Sequence, residues 1–184
     1  MKKLVLASSS LTRKKLLDEQ VDVVDENCNF IKVVSKKNAH TEGLLHKCVI
    51  AQVIDTKGRW LLVKQSKDRQ DAGQYVSPMG GHISAGEDEI AALKREVFEE
   101  LGLKDFKYEY MGRVIYSREV IGRKENHFFI MYKVFSDEKP VLSREAESCK
   151  YFTLDELKKE IRENPKDFGD AFHTVVKEFH RHLL

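Results

Sequence analysis

No apolar stretch in the sequence approaches the length of a bilayer-spanning helix. No C-x-x-C pair occurs. The three cysteines, Cys28, Cys48 and Cys149, are odd in number and far apart, which argues against a disulfide framework and for free thiols in a reducing compartment. Charge of one sign is missing too: 32 basic against 30 acidic residues leave a net of +2, so composition gives no case for a nucleic-acid or membrane partner. Internal repeats and low-complexity tracts are absent. What is present is 184 residues with 41% hydrophobic content, enough for one globular domain with a sizeable core. The opening "MKKLVLASSSLTRKKLL" briefly mimics a signal peptide, but its apolar run at 4–7 is too short and charge returns at Arg13. The expectation is a cytoplasmic protein.

Residues 1–20 read as an N-terminal extension, a strand-like run followed by an amphipathic patch, and 21–184 as the domain proper. "LASSSLTRKKLL" also resembles the opening motif of the Maf family of nucleotide pyrophosphatases, with Leu11 where that motif has proline. "VDVVDENCNFIKVVS" predicts a hairpin turning at Asp25, Glu26 and Asn27, and "KCVIAQVIDTKGRWLLVKQS" predicts a second, turning over 55–58. A short strand is expected in "QYVSPMGGHI", a helix over 88–101, and two longer strands in "KYEYMGRVIYSRE" and "ENHFFIMYKVF". Helices are expected in "FTLDELKKEIRE", opened by a cap-like Thr153, and in "DFGDAFHTVVKEFHRHLL". Mixed strands with a few helices indicate an α/β or α+β class.

The helix over 88–101 is the informative one. Glu96, Glu99 and Glu100 stand at i, i+3 and i+4 and fall within one arc, next to an apolar arc of Ile90, Leu93, Val97 and Leu101. Like charges at these spacings destabilise a bare helix by a few tenths of a kcal/mol per pair. A solvated face is one reading of the crowding. The other is a cradle for a hard divalent cation, Mg²⁺ or Mn²⁺, whose chemistry suits phosphate substrates. Gly80 and Gly81 just before the helix allow close backbone approach to a ligand, and Gly102 fits its C-terminal end.

Residues 81–103 resemble the Nudix box, the signature of hydrolases acting on nucleoside diphosphates linked to another moiety. Gly81, Glu87, Arg95, Glu96, Val97, Glu99, Glu100, Gly102 and Leu103 fill every specified position. At residue frequencies of roughly 7%, a chance match falls below about 10⁻⁸ per starting position. The resemblance implies an α/β Nudix fold, a mixed sheet sandwiched between helices (α/β/α), and dependence on Mg²⁺ or Mn²⁺. It implies metal held by Glu96, Glu99, Glu100 and the Gly81 carbonyl, with Arg95 orienting the glutamates and Glu87 bracing Arg95. Glu96 either ligates or takes the proton from water. Some members draw the base from outside the box, where Glu109, Glu119 and Glu125 are candidates.

Over about residues 21–175 the chain also resembles isopentenyl-diphosphate isomerases and the Nudix hydrolases related to them, through "VVDENCNFIKVVSKKNAHTEGLLHKCVIAQVIDTKGRWLLVKQS" and "YFTLDELKKEIRENPKDF". Those isomerases use a metal site of three histidines and two glutamates. His40, His46 and His82 stand at comparable places, Glu125 matches one glutamate, and His127 stands where the second belongs. This implies an additional divalent site; ordinary surface or hydrogen-bonded histidines are the competing reading for His40 and His46. Two departures count against isomerisation: Gly80 occupies the cysteine position and His127 the glutamate position, while the box is intact.

Elsewhere, Cys48, Trp60, Leu61, Phe128, Phe129 and Tyr132 read as core. Lys64, Lys67 and Arg69 could meet phosphates or be solvated, and Tyr75 could flank the substrate or cover the sheet edge. The function expected is hydrolysis of a diphosphate linkage in a small-molecule substrate, a nucleoside-diphosphate derivative or a relative of one. The alternatives are an isomerase-like enzyme and a non-catalytic module that senses a nucleotide derivative. A homodimer is compatible with the sequence.

Overall fold

A computed structural model describes residues 19–184; the Maf-like motif and most of the expected N-terminal extension lie outside them. The first hairpin joins β1 (Gln20–Val24) to β2 (Phe30–Ser35). Its turn is held by the Asp25 carboxylate, which accepts from the backbone N–H groups of Asn27 and Asn29 at 2.9 and 2.8 Å. The hairpin of β3 (His46–Ile54) and β4 (Trp60–Gln65) uses the same device: Asp55 accepts from the N–H groups of Lys57 and Arg59 at 3.0 and 2.8 Å. Between the hairpins lies the short α1 (Lys36–Glu42), opened by Ser35 and closed by Gly43 at φ 71°.

The single strand expected in "QYVSPMGGHI" is two pieces, β5 (Tyr75–Val76) and β6 (Met79–His82). They separate at Pro78, which has no N–H to give a ladder. β5 pairs with β4, and β6 pairs antiparallel with β3. Then come α2 (Glu89–Leu101), the long hairpin of β7 (Lys107–Val120) and β8 (Arg123–Phe135), β9 (Ala146–Phe152), α3 (Leu154–Glu163) and α4 (Asp170–Phe179). β9 pairs with β4, and β8 runs parallel to β3 along its whole length.

β3 is the central strand, and all its residues except Lys47 are buried. Its alternate side chains feed two cores. Val49, Ala51 and Val53 join Leu93, Val97 and Leu101 of α2 on one face. On the other face, Cys48 and Ile50 pack with Phe129 and Val175, and Ile54 packs with Trp60, Phe152, Leu157 and Phe172. Helices therefore cover both faces of a mixed sheet. α2 begins where Asp88 accepts from the N–H groups of Ile90 and Ala91, and ends at Gly102 with φ 67°. α3 carries a full capping box between Thr153 and Glu156. No helix among the described residues is long and apolar enough to cross a membrane.

Leu93 is fully buried between α2 and the sheet. We expect Leu93→Ala to lower unfolding free energy by roughly 2–5 kcal/mol, measured by urea denaturation.

Candidate functional site

A cavity of about 1110 Å³ runs past the free edge of β6, which pairs with β3 alone among the described strands. The two faces of β6 carry different chemistry. In register, Gly81 lies opposite Val49 and His82 opposite Cys48. The Gly81 position therefore faces α2, while the His82 side chain faces the other way.

On the α2 side, a Cβ on Gly81 would fall inside the Glu96 carboxylate, so only glycine admits this helix so close to the strand. Arg95 organises the group. Its Nε and Nη2 donate to the two oxygens of Glu87 at 2.8 Å each, its Nη1 to Glu96 Oε1 at 2.6 Å, and its Nη2 also to the His82 carbonyl at 3.1 Å. Glu99 is mostly exposed, 3.6 Å from Arg95 Nη1. The Gly80 N–H donates to Glu100 Oε2 at 3.3 Å.

The electrostatics follow from these partners. The Arg95 hydrogen bonds hold the Glu87 carboxyl below its ordinary value. Burial raises Glu96 despite Arg95. Burial first, then the charges of Glu96 and Glu145, push Glu100 up to about 8. Glu145 lies outside the box, just before β9, and pairs with Arg69; no local signal in "SREAESC" marks it as part of this wall. Glu96, Glu99 and Glu100 line the cavity without enclosing a point.

The group that does converge is on the other side. His46 pairs with His127 across the parallel β3–β8 ladder, and His82 pairs with Cys48, two residues on from His46. Three histidines therefore project from one face, and His40 of α1 closes over them. One ligand atom from each of the four lies within 4.8 Å of every other. His40, His46 and His127 are buried, so none is the surface histidine that the sequence left open. Desolvation lowers all four, His40 to about 4, which keeps the imidazoles neutral with a lone pair free.

Glu125 is not in this group, contrary to the donor set suggested by sequence. Arg118 takes it: Nε donates to Glu125 Oε2 at 2.7 Å, while the rest of the guanidinium grips Asp71 at 2.6 and 3.0 Å. Of the outlying base candidates, Glu125 lines the cavity, whereas Glu109 and Glu119 do not. Lys36 and Arg123, which sequence reading passed over, supply positive charge to the lining. Lys36 pairs with Glu19 at 3.0 Å. Arg69 also lines it, but Lys64, Lys67 and Tyr75 do not. Tyr75 packs on Phe152 and Phe168 instead.

A family model described as NUDIX domain matches residues 44–172. An isopentenyl-diphosphate Delta-isomerase of Serratia proteamaculans is 30% identical over 165 residues, covering 88% of this chain and 92% of that protein. Among solved structures, DR0079 from Deinococcus radiodurans superposes with a TM-score of 0.70 at 18% identity, covering 86% of this chain and 98% of that one. A MutT protein from Methanosarcina mazei gives 0.60 at 23%, covering 75% and 94%. With the box glutamates on the helix that packs against Gly81, and a family model spanning most of the domain, the chain belongs to the Nudix family.

Proposed function

We propose that the protein hydrolyses a diphosphate linkage in a small-molecule substrate, a nucleoside-diphosphate derivative or a relative of one, with the help of Mg²⁺ or Mn²⁺. The observation that carries this reading is the meeting of Glu96, Glu100 and Glu145 at one cavity wall, where burial first, and then the charges of Glu96 and Glu145, push Glu100 up to about 8. Carboxylates that raise one another in this way are relieved by a cation among them. Glu96, Glu99, Glu100 and the Gly81 carbonyl would hold it, and hard oxygen donors suit either ion. When bound, it supplies neutralisation of phosphate charge and a lowered water pKa.

The chain's own residues account for the rest. Lys36 and Arg123 draw the anionic substrate in, leaving Glu99 exposed at the mouth. Water attacks one phosphorus as the bond from that phosphorus to the bridging oxygen breaks, and the second phosphate departs with that oxygen. The water's proton passes to a box carboxylate: Glu109 and Glu119 do not line the cavity, and Glu125 is committed to Arg118. Arg95 fixes the aim of Glu96, and Glu87 fixes Arg95.

A second reading, isomerisation of an allylic diphosphate precursor, is favoured by the near full-length likeness to proteins named isopentenyl-diphosphate isomerases. Against it, Gly80 and His127 provide neither the thiol nor the carboxylate that the resemblance requires. Incubation with isopentenyl diphosphate, following both isomer and released phosphate, separates the two readings.

In a phosphate-release screen over diverse diphosphates with and without metal, Glu99→Gln and Glu100→Gln are expected to lose ~100-fold or more of the activity, the scale of one lost transition-state contact. Their circular dichroism should be unchanged. Full activity in a pure preparation of either variant would sink the site assignment.

The Glu87–Arg95 pair also makes a pH prediction. The Glu87 carboxyl is held below its ordinary 4.5, so the native state binds that proton more weakly than the unfolded chain does. Its stabilisation is complete above pH 4.5 and is lost as pH falls through the lower native value. In denaturation curves from about pH 7 to about pH 3, Glu87→Gln should be less stable than wild type by on the order of 1 kcal/mol at neutral pH, the gap narrowing in acid.

A further inference from the structure

The sheet forks, and the fork shapes the cavity. β3 and β4 pair only at Val53 with Leu61 and Ile54 with Trp60. Away from that end, β3 keeps β6 and β8 as neighbours, and β4 keeps β5 and β9. Ser77 and Pro78 are the link that crosses from β5 on one arm to β6 on the other, and both line the cavity. Gln52 is the β3 residue just before the paired end, at the crotch of the fork.

Gln52 is out of keeping with its strand. From Cys48 to Ile54 every other residue of β3 is apolar. The Gln52 side chain is fully buried, and by alternation it shares the α4 face of β3 with Ile50 and Ile54. Its Nε2 donates to Ser77 Oγ at 2.5 Å, while its Oε1 is buried with no partner. A half-satisfied amide in the interior is costly, and an aliphatic side chain would avoid that cost. What the amide achieves is to hold Ser77. A serine oxygen that accepts from Gln52 still has its own proton to give. Ser77 is half-buried in the cavity wall, so that proton is available to a bound molecule.

The surroundings define what would receive it. Ile50, Phe129, Ala171 and Phe172 make this part of the cavity lining apolar. The Tyr116 hydroxyl is already spent on Asp170. Arg118 already faces two carboxylates, Asp71 and Glu125, so a further negative charge is opposed here. A neutral acceptor on an otherwise apolar group is the fitting complement. Ser77 also stands three residues before Gly80, whose N–H meets Glu100. Three residues of extended chain span roughly 10 Å, about the reach from a diphosphate at the glutamates to the far end of a small organic group.

We propose that Ser77, held by Gln52, donates a hydrogen bond to a neutral acceptor, a ring nitrogen or a carbonyl, on the organic group that the diphosphate carries, and so selects such substrates over purely hydrocarbon ones. The proposal rests on the reading of the cavity as a diphosphate site. Ser77 would touch the substrate, and Gln52 is a positioning residue behind it.

The test is calorimetric binding to the full chain in Mg²⁺, with probes that cannot be hydrolysed at the linkage. These are the benzyl ester of methylenediphosphonate and its three pyridylmethyl counterparts, which differ from it by one ring acceptor. At least one pyridylmethyl isomer should bind about 10-fold or more tighter than the benzyl ester, the scale of one hydrogen bond. Ser77→Ala should bring the two affinities together, Ser77→Thr should keep them apart, and Gln52→Leu should narrow the ratio. A purely structural defect would weaken both probes alike and leave the ratio standing. Should Gln52→Leu not fold, the two Ser77 variants decide alone. Equal binding of all four esters by wild type, or a preference that survives Ser77→Ala, would overturn the proposal. If methylenediphosphonate without an organic group does not bind, the diphosphate reading fails and takes this proposal with it.

Discussion

The Arg95 guanidinium is the contact on which the site depends. A planar fork of donors reaches three elements at once: the Glu87 loop, the Glu96 carboxylate of its own helix and the His82 carbonyl of β6. Each is in need of it. Glu96 is buried and would be an uncompensated charge. β6 has an open edge, where a carbonyl would otherwise lack a partner. Glu87 sits in the turn that enters the helix, and one of its oxygens also accepts from the Ser84 N–H at 2.9 Å. A helix crowded with like charge is tolerated because one cation is shared along it, and the missing Cβ of Gly81 lets helix and strand approach closely enough to share it.

The sheet then divides the chemistry. β3 is buried on both faces, and β6 lies beside it with one residue per face in play: Gly81 toward the carboxylates and His82 toward the imidazoles. Oxygen donors and nitrogen donors thus leave opposite faces of β6, yet both border one cavity, which His82 and His127 line together with Glu96, Glu99 and Glu100. The Arg118 pairing with Asp71 and Glu125 keeps that division, since it holds the nearest carboxylate of β8 away from the imidazoles. Burial of the Tyr116 ring beside Arg118, with its hydroxyl donating to Asp170 at 2.9 Å, ties the same ion pair to α4.

Local chemistry made much of this legible in the sequence. Asp25 and Asp55 announce their turns, and Asp88 and Gly102 bracket α2. The 3.6-residue period puts Glu96, Glu99 and Glu100 beside the arc that includes Leu93 and Val97. α1 and β9 were not legible. The first has one buried apolar residue and so no period to read. The second shows no apolar alternation, with Glu147, Ser148 and Lys150 exposed and only Phe152 buried, and takes its place by pairing with β4. The histidine cage was half legible. Its members could be named, but their convergence depends on a parallel pairing of β3 with β8, which no local pattern displays. The withdrawal of Glu125 depends on Asp71, far away in the chain, and the contribution of Glu145 on a loop that returns to α2.

The register of β3 against β8 has one more consequence. Because His46 lies opposite His127 in a hydrogen-bonded ladder, the spacing between those two positions belongs to the backbone and not to the side chains. A donor at position 127 can therefore be exchanged, imidazole for carboxylate or the reverse, without rerouting the chain. At this position the scaffold fixes where a side chain stands, and the codon fixes only its chemistry.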